Sequence, residues 1–123
     1  MVNISDAEWK VMNVLWESSP RTITELTKIL SETEGWSKHS IITFLKRLDA
    51  KGAVYYEEGE RAKQYYAKIP QNEATLEETK NFLNKAFKGK IGLMINTLVK
   101  EEELTEQDLD ELYEILEKER KNK

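Results

Sequence analysis

The chain has 123 residues, enough for one ordinary domain or for a small domain with an appendage that borrows part of its core from a partner. It contains no cysteine, which excludes disulfides, thiolate metal sites and cysteine nucleophiles. With 19 Lys and Arg against 23 Asp and Glu the formal charge is −4, a total that speaks against a nucleic-acid partner unless the charge is unevenly placed.

Ser5-Asp6-Ala7-Glu8 is a capping box, with Ile4 and Trp9 spaced as a hydrophobic staple, so a helix starts at Ser5. Trp9, Val11, Met12, Leu15 and Trp16 recur at helical spacing until Ser18-Ser19-Pro20 breaks the pattern. Thr22-Ile23-Thr24-Glu25 repeats the box. A short second helix follows with Ile23, Leu26, Ile29 and Leu30 on one face, interrupted from Ser31 to Gly35. Trp36-Ser37 opens a third helix, with Trp36 and Ile41 as staple partners and Ile41, Phe44, Leu45 and Leu48 facing inward until Lys51-Gly52.

Ala53-Val54-Tyr55-Tyr56 and Gln64-Tyr65-Tyr66-Ala67 are rich in strand-favouring aromatics and predict a β-hairpin. Glu57-Glu58-Gly59-Glu60-Arg61 is its charged tip, where Gly59 is free to adopt a positive φ. Ile69-Pro70-Gln71-Asn72 punctuates the chain. Beyond it the pattern predicts helices near 74–88, 90–100 and 105–120, the last capped by Thr105 and Asp108 with Leu104 and Leu109 as its staple. The expected division is therefore 1–70 and 71–123. The opening residues 1–6 lack the basic start and apolar run of a signal peptide, and no later stretch has the length of a membrane span. The expectation is a soluble, cytoplasmic protein with no direct membrane insertion.

Three helices followed by a hairpin is the order of a winged helix-turn-helix, in a mainly α chain. Charge placement agrees: residues 1–70 carry ten basic and ten acidic side chains, 71–123 nine and thirteen, so the acidic excess lies in the second half. Within 37–51 there are four cations and one anion. The third helix leaves Lys38, His39, Ser40, Ile42, Thr43, Lys46 and Arg47 off its apolar face. His39, Ser40 and Thr43 are the candidates for base edges. Lys38, Lys46 and Arg47, with Arg61 and Lys63 of the hairpin, are the candidates for phosphates. In the second half Phe82, Phe87, Leu93, Leu98, Leu109, Leu112 and Leu116 offer more apolar surface than three short helices can bury alone, which predicts a homodimer.

Residues 4–16, Ile-Ser-Asp-Ala-Glu-Trp-Lys-Val-Met-Asn-Val-Leu-Trp, resemble the opening of the BlaI/MecI family of penicillinase and methicillin-resistance repressors. The resemblance continues through Trp36-Ser37, Leu45-Lys46-Arg47-Leu48, Lys51-Gly52, Gln64-Tyr65-Tyr66, the segment 80–85 and the segment 110–116, nearly the whole chain. It implies a dimeric repressor on a palindromic double-stranded operator, control of β-lactam resistance genes, and release when a membrane sensor-transducer or an associated protease leads to cleavage in the dimerisation region. On this resemblance His39, Ser40 and Thr43 match DNA-contacting positions, whereas Ile42 stands where relatives carry arginine. Asn96 matches the residue before the cleaved bond, but Thr97 follows where staphylococcal members have phenylalanine, which favours an interface helix over a cleavage site. Copper-responsive repressors of similar sequence carry a cysteine cluster that this chain lacks, so no copper cofactor is expected.

Two other classes compete. Catalysis is disfavoured because the sole histidine, His39, has no visible triad partner or metal-ligand spacing, and no cofactor or metal is expected. The run Glu101-Glu102-Glu103 lacks the glycine and spacing of a calcium loop and reads as a solvated linker. A winged helix used only as a protein-interaction module is the alternative; Lys46, Arg47, Arg61 and Lys63 discriminate it from a DNA binder. Trp9, Trp16, Trp36, Tyr56 and Tyr65 are expected in core or staple positions rather than in a ligand cage.

Overall fold

A computed structural model describes residues 3–123; Met1 and Val2, part of the opening stretch read for a leader, lie outside the described residues. The elements are α1 (Asp6–Glu17), α2 (Ile23–Glu34), α3 (Lys38–Ala50), β1 (Val54–Glu58), β2 (Lys63–Ala67), α4 (Gln71–Phe87), α5 (Ile91–Lys100) and α6 (Glu106–Lys121). They form two compact units, the first through Leu76 and the second Glu77–Lys123.

In the first unit, local sequence sets each helix start. The Glu8 backbone N–H donates to Ser5 Oγ at 3.2 Å while the Glu8 carboxylate accepts from the Ser5 N–H at 3.0 Å. Thr22 and Glu25 repeat this reciprocal pair at 3.0 and 3.1 Å. Ser37 caps α3 by accepting from the Ser40 N–H. Each cap satisfies donors that a helix N-terminus otherwise leaves orphaned. The core joins Val11, Met12 and Leu15 of α1, Leu26 and Leu30 of α2, and Ile41, Leu45 and Leu48 of α3 to Val54 and Tyr65 of the hairpin. Ile69 and Ala74 close it from beyond the hairpin, and the Trp16 indole N–H donates to the Ile69 carbonyl at 2.9 Å.

β1 and β2 pair antiparallel with Val54 opposite Ala67, Tyr56 opposite Tyr65 and Glu58 opposite Lys63. A bridge absent from the sequence reading joins them: Arg21 and Tyr65 exchange backbone hydrogen bonds at 3.0 and 2.9 Å, so the segment between α1 and α2 lies along β2. Glu8, 1% exposed, carries the one buried charge among the described residues and accepts from the Lys51 ammonium at the end of α3. Lys10 pairs with Glu34 at 2.5 Å.

Several expectations change. The second helix does not stop at Ser31 but continues to Glu34, where Gly35 at φ 72° supplies the left-handed cap. The hairpin strands extend through Glu57 and Glu58, and Gly59 does not take a positive φ. Its smallness is needed for space, since a Cβ there would meet the Ala62 carbonyl oxygen at 2.5 Å. The segment 69–72 is no loose punctuation: Ile69 is buried and α4 begins at Gln71 directly after Pro70.

In the second unit, Thr105 and Asp108 cap α6 reciprocally at 3.0 and 3.1 Å. Phe82 and Phe87 of α4 meet edge to face with centroids 6.0 Å apart. No described residue of this unit is buried.

Candidate DNA-binding surface

α3 divides lengthwise. Ile41, Leu45 and Leu48 are fully buried. At about 100° per residue the opposite arc is centred between His39 and Thr43, with Lys46 beside them and Ile42 and Arg47 at its two sides. Lys38, His39, Lys46 and Arg47 are exposed; Ser40, Ile42 and Thr43 are half-buried. His39, Ser40, Thr43, Lys46 and Arg47 are thus gathered on one side, whereas Lys38, in the first turn, falls near the angle of Leu45 and reaches solvent at the start of the helix. Thr43 Oγ1 already donates to the His39 carbonyl at 3.0 Å, leaving its lone pairs and methyl to the outside. Ser40 turns toward the cap, accepting from the Ser37 hydroxyl at 3.2 Å.

The hairpin stands beside this arc. Arg61 lies at its exposed tip. Lys63 places its ammonium 4.3 Å from the centre of the Tyr56 ring, a cation–π contact that holds the chain without neutralising it. Between α3, the start of α2 and the hairpin runs a cleft of about 290 Å³, lined by Ile23, Ile42, Leu45, Lys46, Asp49, Tyr56, Lys63 and Tyr65. Tyr65 is buried, and Trp9, Trp16 and Trp36 pack against the core as expected of them; Tyr56, 39% exposed, does not. Its place in the cleft under Lys63 follows from the register opposite Tyr65, which sequence patterning alone does not show. None of Lys38, Lys46, Arg47, Arg61 and Lys63 forms an ion pair among the described residues. The surface therefore presents cations free of ion pairs beside a short polar patch, with Asp49 in the cleft and Glu58 opposite Lys63 as the nearby acidic groups, a composition suited to phosphate contacts and groove readout.

Comparison with known proteins decides the family. The penicillinase repressor family model matches residues 4–118. The chain belongs to the penicillinase repressor family. Members of this family are DNA-binding repressors, and the first unit is their winged helix. The chain is 34% identical over 120 residues to the penicillinase repressor of Bacillus licheniformis, covering 98% of this chain and 94% of that one. It is 30% identical over 115 residues to the methicillin resistance regulatory protein MecI of Staphylococcus aureus strain N315, covering 94% of each. The solution structure of Bacillus licheniformis BlaI in monomeric form with the blaP half-operator superposes with a TM-score of 0.52 at 40% identity, over 57% of this chain and 85% of that one. The relatives are repressors rather than enzymes, and among the described residues no acidic or histidine cluster has the arrangement of a metal site.

The remaining expected residues lie in the second unit. α5 and α6 enclose a groove of about 620 Å³ lined by Ile91, Gly92, Ile95, Asn96, Val99, Leu109, Leu112, Tyr113 and Leu116. Leu109, Leu112 and Leu116 from the expected set line it; Phe82, Phe87, Leu93 and Leu98 lie elsewhere on the unit. Ile91, Ile95, Val99 and Tyr113, outside that set, complete the apolar lining, and 91, 95 and 99 repeat at helical spacing in the sequence. Asn96 and Thr97 fall inside the regular helix α5, where Thr97 Oγ1 donates to the Leu93 carbonyl at 2.8 Å.

No helix of the described residues is long and apolar enough to cross a membrane.

Proposed function

We propose that the protein is a cytoplasmic, non-catalytic, homodimeric repressor that binds a palindromic operator and controls β-lactam resistance genes. The observation that carries the reading is α3: its buried side is locked into the core by Ile41, Leu45 and Leu48, so its cations and polar groups face outward as a rigid set. In a winged helix this element enters the major groove while the wing reaches the adjacent backbone. Lys38, His39, Ser40, Thr43, Lys46, Arg47, Arg61 and Lys63 are the contacts assigned by this reading. The names of the relatives support the resistance genes as targets.

Dimerisation through residues 71–123 draws support from the second unit, where Ile91 (62%), Tyr113 (66%) and Leu116 (62%) are exposed around an apolar groove. An apolar face of this kind, left to water in a lone chain, is what a second copy covers. Two half-site contacts on one dimer gain effective concentration, so separation of the chains releases DNA. A membrane sensor or its protease is the inducing partner in this reading. Cleavage between Asn96 and Thr97 requires α5 to unwind first, because proteases act on extended backbone, and dimer loss without cleavage is the simpler route.

The test is an anisotropy titration of the full chain against DNA upstream of its gene, at low and physiological salt, with nonspecific competitor. Tight, competitor-resistant binding is expected, with a salt slope that falls by roughly two counterions per dimer, one in each half-site, for each of Lys46, Arg47, Arg61 and Lys63 replaced by alanine. Weak binding abolished by salt, unchanged in the fourfold variant, refutes the reading and leaves a protein-interaction module.

A further inference from the structure

Ile42 stands on α3 outside the set assigned to base edges and phosphates. Among the leucine and isoleucine side chains of α3 it is the one that is not buried in the core; Phe44, the other half-buried apolar residue, rests against Trp36 with centroids 4.9 Å apart. On the helix it stands between the buried Leu45 and the exposed Lys46 and His39, at the rim where the apolar wall of the cleft reaches the outward arc. Its branched Cβ fixes χ1, so the side chain is a stiff methyl-bearing surface rather than a mobile one.

We propose that Ile42 reads the 5-methyl group of a thymine, making it a specificity-determining residue of the operator contact. The inference rests on the DNA-binding reading above and adds the base that one position of the half-site must carry. In the major groove each base pair shows hydrogen-bonding atoms, and the thymine methyl is the apolar feature among them. An aliphatic side chain set against any other edge desolvates a donor or acceptor without replacing its bond, which is unfavourable. Against the methyl it buries apolar area instead. His39 at i−3 and Lys46 at i+4 flank Ile42 and fix the register in which the methyl is met. Cytosine at the same position is excluded twice: it lacks the methyl and presents its N4 amino donor to an apolar group.

The experiment starts from duplexes enriched out of a random pool by the full-length wild-type chain, so no operator need be assumed. Each thymine of the enriched site is then replaced in turn by deoxyuridine, which removes the methyl alone, and affinities are measured for the wild type, Ile42→Ala and Ile42→Val. The expected result is one thymine per half-site whose replacement weakens the wild type about fourfold, the worth of one buried methyl, and about fifteenfold when both half-sites are changed. Ile42→Ala loses this discrimination, and Ile42→Val retains most of it. Cytosine at that position weakens wild-type binding roughly tenfold or more, and 5-methylcytosine recovers part of the loss. Because the readout is a ratio of two DNAs for one protein, partial unfolding of a variant cancels. Enrichment of a defined site in which no deoxyuridine replacement depends on residue 42 overturns the proposal while leaving the DNA-binding reading intact. Failure to enrich any sequence overturns both.

Discussion

The two units are built from helices of similar amphipathic kind and capped by the same reciprocal device, Ser5 with Glu8 and Thr22 with Glu25 in one, Thr105 with Asp108 in the other. They differ in what covers their apolar faces. The first unit buries Met12, Leu26, Ile41 and Leu48 completely, whereas no described residue of Glu77–Lys123 is buried. Local helix formation and core formation are thus separate achievements: capping and periodicity set where helices start, and only a layer to pack against turns an apolar stripe into stability. In the first unit the hairpin and three helices provide that layer from the same chain. In the second unit the stripe stays exposed.

The largest effect that sharpens this contrast comes from Leu45→Ala. It removes a fully buried side chain and should cost about 2–5 kcal/mol in thermal or denaturant unfolding, equally at all protein concentrations. Leu116→Ala, at the groove, should leave the first unit's transition unmoved and shift the sedimentation equilibrium toward monomer. A concentration-independent loss from both substitutions would erase the distinction between the units.

Lys51→Ala comes next. Burial works to raise the Glu8 pKa, but the Lys51 hydrogen bond, the Ser5 N–H, the Lys51 charge and the Ser5 hydroxyl together hold it below the ordinary glutamate value. A carboxylate depressed in the folded state contributes stability that is full above its unfolded pKa and is lost as pH falls through the lowered folded value. Removing Lys51 leaves the buried charge without its partner, at a cost of roughly 1–3 kcal/mol at neutral pH. That cost should shrink on acidification below the carboxylate range, because protonated Glu8 no longer needs the cation. Urea unfolding at neutral and acid pH checks it; a cost that grows with acidity contradicts the assignment.

Much of this was legible in the sequence because it is local. The capping boxes at Ser5, Thr22 and Thr105 each span four residues, and the apolar spacing of Ile41, Leu45 and Leu48 names the inward side of α3 and hence its outward cations. The end of α2 is not legible, because Ser31 to Glu34 carry no apolar residue to continue the period although their backbone continues the helix. The Glu8 and Lys51 pair joins residues 43 apart, and the Arg21 bridge to Tyr65 is made by main-chain atoms, so neither has a pattern to read. At Gly59 a close approach to Ala62 leaves the same trace in sequence as a positive φ, so the residue type alone does not distinguish them. The α5 side of the groove was readable from Ile91, Ile95 and Val99, which recur every four residues.

The smallest expected effect is Thr105→Ala, which removes a side-chain acceptor and should cost about 1 kcal/mol. Its interest lies in comparison with Thr22→Ala. The first-unit cap should report in every unfolding experiment, and the second-unit cap most strongly in dilute protein, where circular dichroism follows helix loss from α6. Equal effects at both dilutions would mean that the second unit is stable without a cover.

The backbone bridge between Arg21 and Tyr65 makes the hairpin something other than a flap on two hinges. With a third segment hydrogen-bonded along β2, and Arg21 further tied by its side chain to the Ser18 carbonyl at 3.0 Å, the body of the wing is already ordered before anything touches it. A contact made from Lys63, within that braced strand, forfeits little backbone freedom, while Arg61 lies in the turn beyond the paired strands, which one backbone hydrogen bond closes, from the Gly59 N–H to the Ala62 carbonyl at 3.0 Å. Equal charges a short way apart on the same hairpin are therefore of unequal thermodynamic worth, and amide exchange along β2 slower than at the tip would be the signature of that gradient.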